Sequence, residues 1–261
     1  AIYKKPEAVF KAPYKELANI RGIGPAKAKN IKGYSEWGKI DAQLKKLDAN
    51  GIKIVSFSNK DYPEILKNIE DAPIVLYIKG IIQKEDRYAV AIVGSRKYSS
   101  YGKLAAEKLS SELSSMGFTI VSGMARGIDT LAHTAAINSG GRSIAVLGSG
   151  IDVPYPPENR GLMEKLAASG CVISEFPPGT LPERENFPKR NRIISGLSLG
   201  VLVVEATADS GSLITASCAL EQGKEVFAVP GNINSANSKG TNELIKKGAK
   251  LVQSAEDVIE E

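Results

Sequence analysis

Histidine occurs once in this chain of 261 residues and cysteine only twice. Each scarcity removes a class of protein. His133 stands alone, and Cys171 and Cys218 lie far apart in apolar surroundings, so no CxxC pair or histidine cluster can build a metal site and no metal is expected. Two cysteines are also too few for a disulfide framework. Both read as small buried residues in a reducing compartment, the cytoplasm. No apolar run reaches the about 18 residues of a membrane span, and no charged-then-apolar leader precedes the first element, so neither a span nor a signal peptide is expected. The chain opens at Ala1 rather than Met, which leaves segments outside it open.

What is present is an ordinary globular balance, 43% hydrophobic and 24% charged, enough for one large domain or a large domain plus a small one. The net charge of +5 is unevenly spread. Residues 1–56 hold 12 Lys and Arg against 5 Asp and Glu, whereas residues 57–261 hold 22 against 24. The division expected is a small basic helical domain over 1–56 and a large domain over 57–261.

In the small domain, "LANIRGIGPAKAKNI" (17–31) places apolar residues at Leu17, Ile20, Ile23, Ala28 and Ile31, with Gly22 and Gly24 between the two periodic parts. That spacing predicts helix, tight turn, helix, with Pro25 at the start of the second helix. Amides at that helix start, beside Lys27 and Lys29, suit a phosphate. "GIGPAK" lacks a preceding strand and a third glycine, so a dinucleotide turn is not expected there. The pattern resembles the helix-hairpin-helix motif, which grips nucleic-acid backbones; a hairpin used only for packing is the other reading. "FSNKDYPEIL" and "DAPIVLYIKG" read as a turn-bounded helix and a strand bridging to the large domain.

From Tyr88 onward, strand-like and helix-like segments alternate, beginning with "YAVAIVGS" and "YGKLAAEKLSSELSSMG". This alternation predicts an α/β fold, a mainly parallel, doubly wound Rossmann-like sheet. Ligands in such sheets bind beyond the carboxyl ends of the strands. The residues just after each strand are small or cationic: "GSR" (94–96), "SGMARGID" (122–129), "GSGID" (148–152), "EATADSGS" (205–212) and "PGN" (230–232). "ENFPKRNRIISG" (185–196) adds a helix start carrying Lys189, Arg190 and Arg192, with Pro188 suited to its first position and Asn186 or Phe187 just outside. Lys189 and Arg192 are expected to share one side of the first turns. This arrangement fits a polyanion. Phe187 either stacks on a base or anchors the helix start in the core. His133, among alanines, reads as a buried structural histidine, and Asp129 as a helix cap.

Four stretches, "AIVGSR", "IVSGMARGIDTLAH", "FPKRNRIISGLS" and "EATADSGSLITA", together closely resemble the bacterial DNA-processing protein family DprA, also called Smf. The resemblance implies an extended Rossmann-like fold, usually dimeric. It implies a protein that binds single-stranded DNA, protects it and helps load the RecA recombinase during natural transformation, without catalysis or cofactor, and with single-strand-binding protein as a further candidate partner. Carried onto this chain, the DNA-binding residues are Gly94, Ser95, Arg96, Ser122, Gly123, Phe187, Lys189, Arg190 and Arg192. Arg126 joins them from its position after a strand, and Gly22, Gly24 and Lys27 form a secondary contact. Many members end in a winged-helix domain, whereas this chain stops at "AEDVIEE".

Two enzyme readings compete. "DSGSLITASCALEQG" faintly resembles nucleotide phosphoribohydrolases of the same broad fold group, with Asp209 and Glu221 as candidate carboxylates. It lacks their glycine turn, and no paired carboxylates stand at the strand ends. A turn-shaping Asp209 and a solvated Glu221 are the simpler accounts. A nicotinamide-dependent oxidoreductase would need GxGxxG spacing where this chain has "GSRKYS".

Overall fold

The computed structural model describes residues 2–3 and 6–261. The chain divides into two compact units, Ala1–Asn50 and Gly51–Glu261.

Among its described residues the first unit holds four helices, α1 (Pro6–Lys11), α2 (Tyr14–Asn19), α3 (Gly24–Lys32) and α4 (Trp37–Ala49). The expected helix–turn–helix is α2 and α3. Gly22 and Gly24 take φ of +89° and +68°, values that favour glycine and let the chain reverse within four residues. Leu17 and Ala28, one from each helix of the hairpin, are fully buried, with Ala12 beside them and Ile20, Ile23 and Ile31 partly buried around them.

In the second unit, nine strands form one sheet. They are β1 (Ile52–Ser56), β2 (Val75–Gly80), β3 (Ala89–Val93), β4 (Thr119–Ser122), β5 (Ser143–Val146), β6 (Cys171–Ser174), β7 (Gly200–Val203), β8 (Glu225–Ala228) and β9 (Lys250–Leu251). Their spatial order is β1-β2-β6-β5-β4-β3-β7-β8-β9. The pairs from β6 to β9 are all parallel; β1 and β2 add an antiparallel hairpin at one edge. The boundary expected at 56/57 therefore falls six residues earlier, because "IKIVS" pairs with β2 instead of closing the helical unit.

Strands β3 to β7 are buried along their whole length, as a sheet covered on both faces requires. Alternate residues of β3 feed two cores. Ala89, Ala91 and Val93 pack with α8 (Asn186–Gly196) and α9 (Gly211–Glu221). Val90 and Ile92 pack with α5 (Ser100–Ser115) and α6 (Ile128–Asn138). Helices α7 (Arg160–Ser169), α10 (Lys239–Lys246) and α11 (Glu256–Ile259) complete the unit. From β3 the chain builds outward through β4, β5 and β6, then returns to the other side of β3 with β7. That reversal opens a crevice at the carboxyl ends of β3 and β7. At the opposite ends of the strands, buried Asp86 accepts from Arg142 Nε and Nη2, both at 2.9 Å, and from Thr119 Oγ1 at 2.8 Å, fastening β3, β4 and β5 together.

Candidate nucleic-acid interface

The crevice is built from backbone before any side chain reaches it. Gly127, at φ +87°, lies so close to the loop after β3 that a Cβ there would stand 2.3 Å from the Ser95 carbonyl oxygen. The Ile128 amide donates to that oxygen at 3.2 Å, and the Ser95 amide donates to the Glu205 carbonyl at 2.7 Å. Gly94 and Ser95 thus serve as packing surface and turn geometry. Ser95 Oγ donates to the Lys97 carbonyl at 2.9 Å, and Ser122 Oγ, fully buried, donates to Ile92 at 2.6 Å. Met124, at φ +60°, is held in its unusual conformation by Asn159, whose Nδ2 donates to the Met124 carbonyl at 3.0 Å.

Sequence reasoning missed Glu205, which decides where an anion can sit. The first strand-to-helix turn of a doubly wound sheet is the usual phosphate site, at the amides opening the helix. Here the buried Glu205 carboxylate occupies it. It accepts from the Ser99 amide at 2.9 Å and from Ser99 Oγ, and it lies where a Cβ on Gly102 would be. The protein's own carboxylate fills the α5 anion site, which displaces the dinucleotide reading. A ligand anion must instead sit toward β4 and β5. The signal was an acidic residue two positions after β7, at the head of the "EATADSGS" stretch.

Arg96, Arg126, Tyr155 and Phe187 line a hollow on that side together with Gly123 and Gly148. Helix α8 supplies its base. The helix starts at Asn186, so Pro188 is its third residue and Phe187 lies inside the first turn, two residues earlier than expected. Phe187 rests on Gly148, where a Cβ would meet its Cδ1 at 2.7 Å, and it tilts against Tyr155 with ring centroids 5.7 Å apart. The ring is half-buried. The ring is thus packed against Gly148 and Tyr155 without being fully enclosed in the core. Arg96 is exposed, lies 5.6 Å from the Phe187 centroid and makes no ion pair among the described residues. Tyr155 was not anticipated, because its approach to Phe187 depends on a tertiary contact.

The three cations of "PKRNR" go to three different places. Arg190, one turn after Phe187, is 4% exposed beneath the hollow. Its Nη1 donates to the carbonyls of Gly123 (2.5 Å) and Val146, and its Nε to Asn191 Oδ1 at 3.2 Å. Gly123 is glycine because a Cβ would stand 2.7 Å from that guanidinium. Arg190 thus braces the hollow from below and lends it positive potential. Arg192 points away, with Nε 2.9 Å from Asp71 and Nη2 2.5 Å from Glu175. Its charge is compensated, and the Glu175 carboxyl also feels the charge of Lys189, so the two cations lie toward one carboxylate, as expected. Lys189 is exposed and makes no ion pair among the described residues. Arg126 is exposed and paired to Glu158, with Nη2 3.1 Å from Oε2, a weakly held surface pair.

Below the surface lies a pair of opposed titrations. Burial pushes the Asp129 carboxyl up to about 6, against the pull of Arg190 and of the Ala125 and Gly123 amides. Those amides, at 3.3 and 3.2 Å, belong to the loop after β4, so Asp129 ties that loop instead of capping its helix, whose cap is Gly127. Burial also lowers the Arg190 guanidinium to about 10, partly countered by Asp129. His133 is buried as expected, and burial drives its imidazole down to about 3. Its Nδ1 lies 2.7 Å from Ser143 Oγ, whose one proton goes to the Ile120 carbonyl, so Nδ1 carries the hydrogen and Nε2 is the bare, unpartnered nitrogen.

The carboxylates of the hydrolase reading do not converge. Asp209 accepts from Thr207 Oγ1 at 2.8 Å within a turn, and Glu221 accepts from Ser217 Oγ at 3.2 Å on an exposed surface. They stand at opposite ends of α9, roughly 16 Å apart at 1.5 Å per residue. In the first unit, Lys27 Nζ donates to the Gly22 carbonyl at 3.0 Å, placing a cation at the hairpin turn.

Comparison with known proteins fits this architecture. A family model described as DNA recombination-mediator protein A matches residues 53–261. DNA processing protein DprA of Bacillus subtilis is 47% identical over 214 residues, 81% of this chain and 71% of that protein. The DprA of Streptococcus pneumoniae is 47% identical over 211 residues, 80% of this chain and 74% of that protein. The X-ray structure of Streptococcus pneumoniae DprA superposes with a TM-score of 0.87 at 40% identity, covering 96% of this chain and 87% of that one. A structure of DNA processing protein A from Helicobacter pylori, described for its single-stranded DNA binding mode, superposes at 0.72 with 30% identity, covering 80% of this chain and 94% of that one.

Proposed function

Because the chain belongs to the DNA recombination-mediator protein A family, we propose that it holds single-stranded DNA in the strand-end hollow, protects it, and hands it to RecA during natural transformation. The observation that carries the reading is the pairing of Phe187 with Arg96. A half-open ring flanked by an unpaired guanidinium offers a base a stacking surface and the adjoining phosphate a charge-assisted hydrogen bond. Arg126 extends the cationic edge, exposed Lys189 adds a charge two residues after Phe187 on α8, and the single-stranded DNA binding described for the Helicobacter pylori relative supports the same ligand. A single strand fits better than a duplex, whose bases are stacked inward and cannot reach Phe187.

In this reading the protein catalyses no reaction. It binds through Arg96, Arg126, Phe187 and Lys189, with Gly94, Ser95, Ser122, Gly123 and Arg190 shaping the hollow. Arg192, held by Asp71 and Glu175, supports α8 and leaves the DNA to its neighbours. The hairpin of the first unit, at Gly22, Gly24 and Lys27, adds a secondary phosphate contact. The protein works as a homodimer in the cytoplasm, with RecA and single-strand-binding protein as partners.

Fluorescence anisotropy of a single strand, its duplex and a mononucleotide, each at two salt concentrations, tests the reading. The single strand should bind tightest and lose most affinity in salt, because several phosphates release counterions together. Equal or tighter binding of the mononucleotide would overturn it. Removing residues 1–50, and no more because β1 starts at Ile52, should shallow the salt dependence; an unchanged slope would remove the hairpin from the contact.

A further inference from the structure

The first unit carries an aromatic cluster that its core does not use. Phe10 lies in the last turn of α1, Tyr34 follows α3, and Trp37 opens α4. Their rings meet edge to face around Trp37, with centroids 5.0 Å apart at 74° for Phe10 and 5.0 Å apart at 82° for Tyr34. None of the three belongs to the apolar core around Leu17 and Ala28, and they remain 41%, 37% and 48% exposed. Contiguous exposed aromatic surface of this kind marks a binding surface in a small unit short of apolar material.

Charge indicates the occupant. Residues 1–50 hold 11 Lys and Arg against 5 Asp and Glu. Lys32 Nζ donates to the Phe10 carbonyl at 2.7 Å, which sets an ammonium beside the cluster, and exposed Lys11 follows Phe10. Neither faces a carboxylate: Lys39–Glu36 is the one ion pair of this unit among the described residues, and it neutralises the acid next to Trp37. Open rings next to unpaired ammonium groups match a chain of bases and phosphates better than they match an apolar protein face. We propose that Phe10, Tyr34 and Trp37 form a second contact for single-stranded nucleic acid, one that stacks bases. The assignment rests on the reading that single-stranded DNA is the ligand. It is separate from the hairpin turn, which lies at the other end of α3, roughly 13 Å away along nine residues.

Trp37 is the only tryptophan in the chain, so its emission reports on this cluster alone. Titration of the full chain with oligothymidylate should quench that emission. Quenching should persist, at higher oligonucleotide concentration, in the Arg96→Ala/Lys189→Ala variant. Tyr34→Ala should weaken the quenching transition by about 5- to 150-fold, the range of losing one stacked base. In anisotropy, Trp37→Ala should weaken binding while Trp37→Phe, which preserves a ring and the fold, largely restores it. Anisotropy showing bound oligonucleotide with Trp37 emission unchanged overturns this contact and leaves the strand-end reading standing. No binding by either signal overturns both.

Discussion

Phe187 and Arg190 lie one turn apart on α8 and divide the work of the hollow. The ring is the face a base would meet; the guanidinium beneath it ties the ends of β4 and β5 through Gly123 and Val146. Phe187→Ala should therefore leave the fold intact and weaken single-strand binding by about 1–3 kcal/mol, roughly 5- to 150-fold, as read by anisotropy. Asp129 and His133 allow a sharper test of the buried charges. Asp129 titrates near 6 when folded, above its ordinary value of 3.8, so its contribution is complete below pH 3.8 and is lost as pH rises through 6. His133 titrates near 3 when folded, below 6.5, so the unfolded chain takes up its proton first and stability falls as pH drops from 6.5 toward 3. The two slopes oppose one another. Asp129→Asn removes one of them, so the stability difference between variant and parent should move in the variant's favour by about 1.4 kcal/mol per pH unit between about pH 4 and 6. Denaturant titrations at three pH values in that window measure it. A difference independent of pH would mean that Asp129 is ionised throughout.

Among the elements, α8 matters most and was the hardest to read correctly. The sequence marks it as a helix start rich in cations, and Pro188 argues for a beginning at that residue. The structure begins it at Asn186, since proline is tolerated throughout a first turn whose amides lack intrahelical partners. In that helix Arg190 reaches the strand ends through Gly123 and Val146, and Arg192 reaches Asp71 and Glu175. No local spacing reveals those two carboxylates, which come from elsewhere in the chain. The alternation of strands and helices was legible because fully buried strands write continuous apolar runs. β1 was not, since a five-residue edge strand exposing Lys53 and Ile54 looks like the tail of the helical unit. At the far end of α8, Lys224 Nζ donates to the carbonyls of Ser195, Gly196 and Ser198 at 2.7–2.8 Å, capping the helix with a cation where its dipole is negative. Lys224→Met should cost about 2 kcal/mol, or roughly 4–8 °C in Tm. An unchanged Tm would mean that the sheet alone fixes α8.

At the scale of the whole molecule, the charge pattern and the sheet topology make one account. The net charge of the large unit is close to zero, so its attraction for a polyanion must come from where its unpaired cations stand. The reversal of strand order sets that place, Glu205 closes the usual phosphate site within it, and the remaining opening lies beside Arg96, Arg126 and Phe187. The strand-end motifs made this region legible from sequence. Glu205's part was not, because its partners Ser99 and Gly102 lie on the far side of the β3 turn. The most direct measurement is the salt dependence of single-strand affinity for Arg96→Ala/Lys189→Ala against the parent chain. Two lost phosphate contacts should shallow the slope of log K against log salt by about 1.4, at about 0.7 per contact on a single strand, together with weaker binding and an unchanged unfolding transition. A folded variant with the parent's affinity and slope would contradict the account and place the DNA elsewhere.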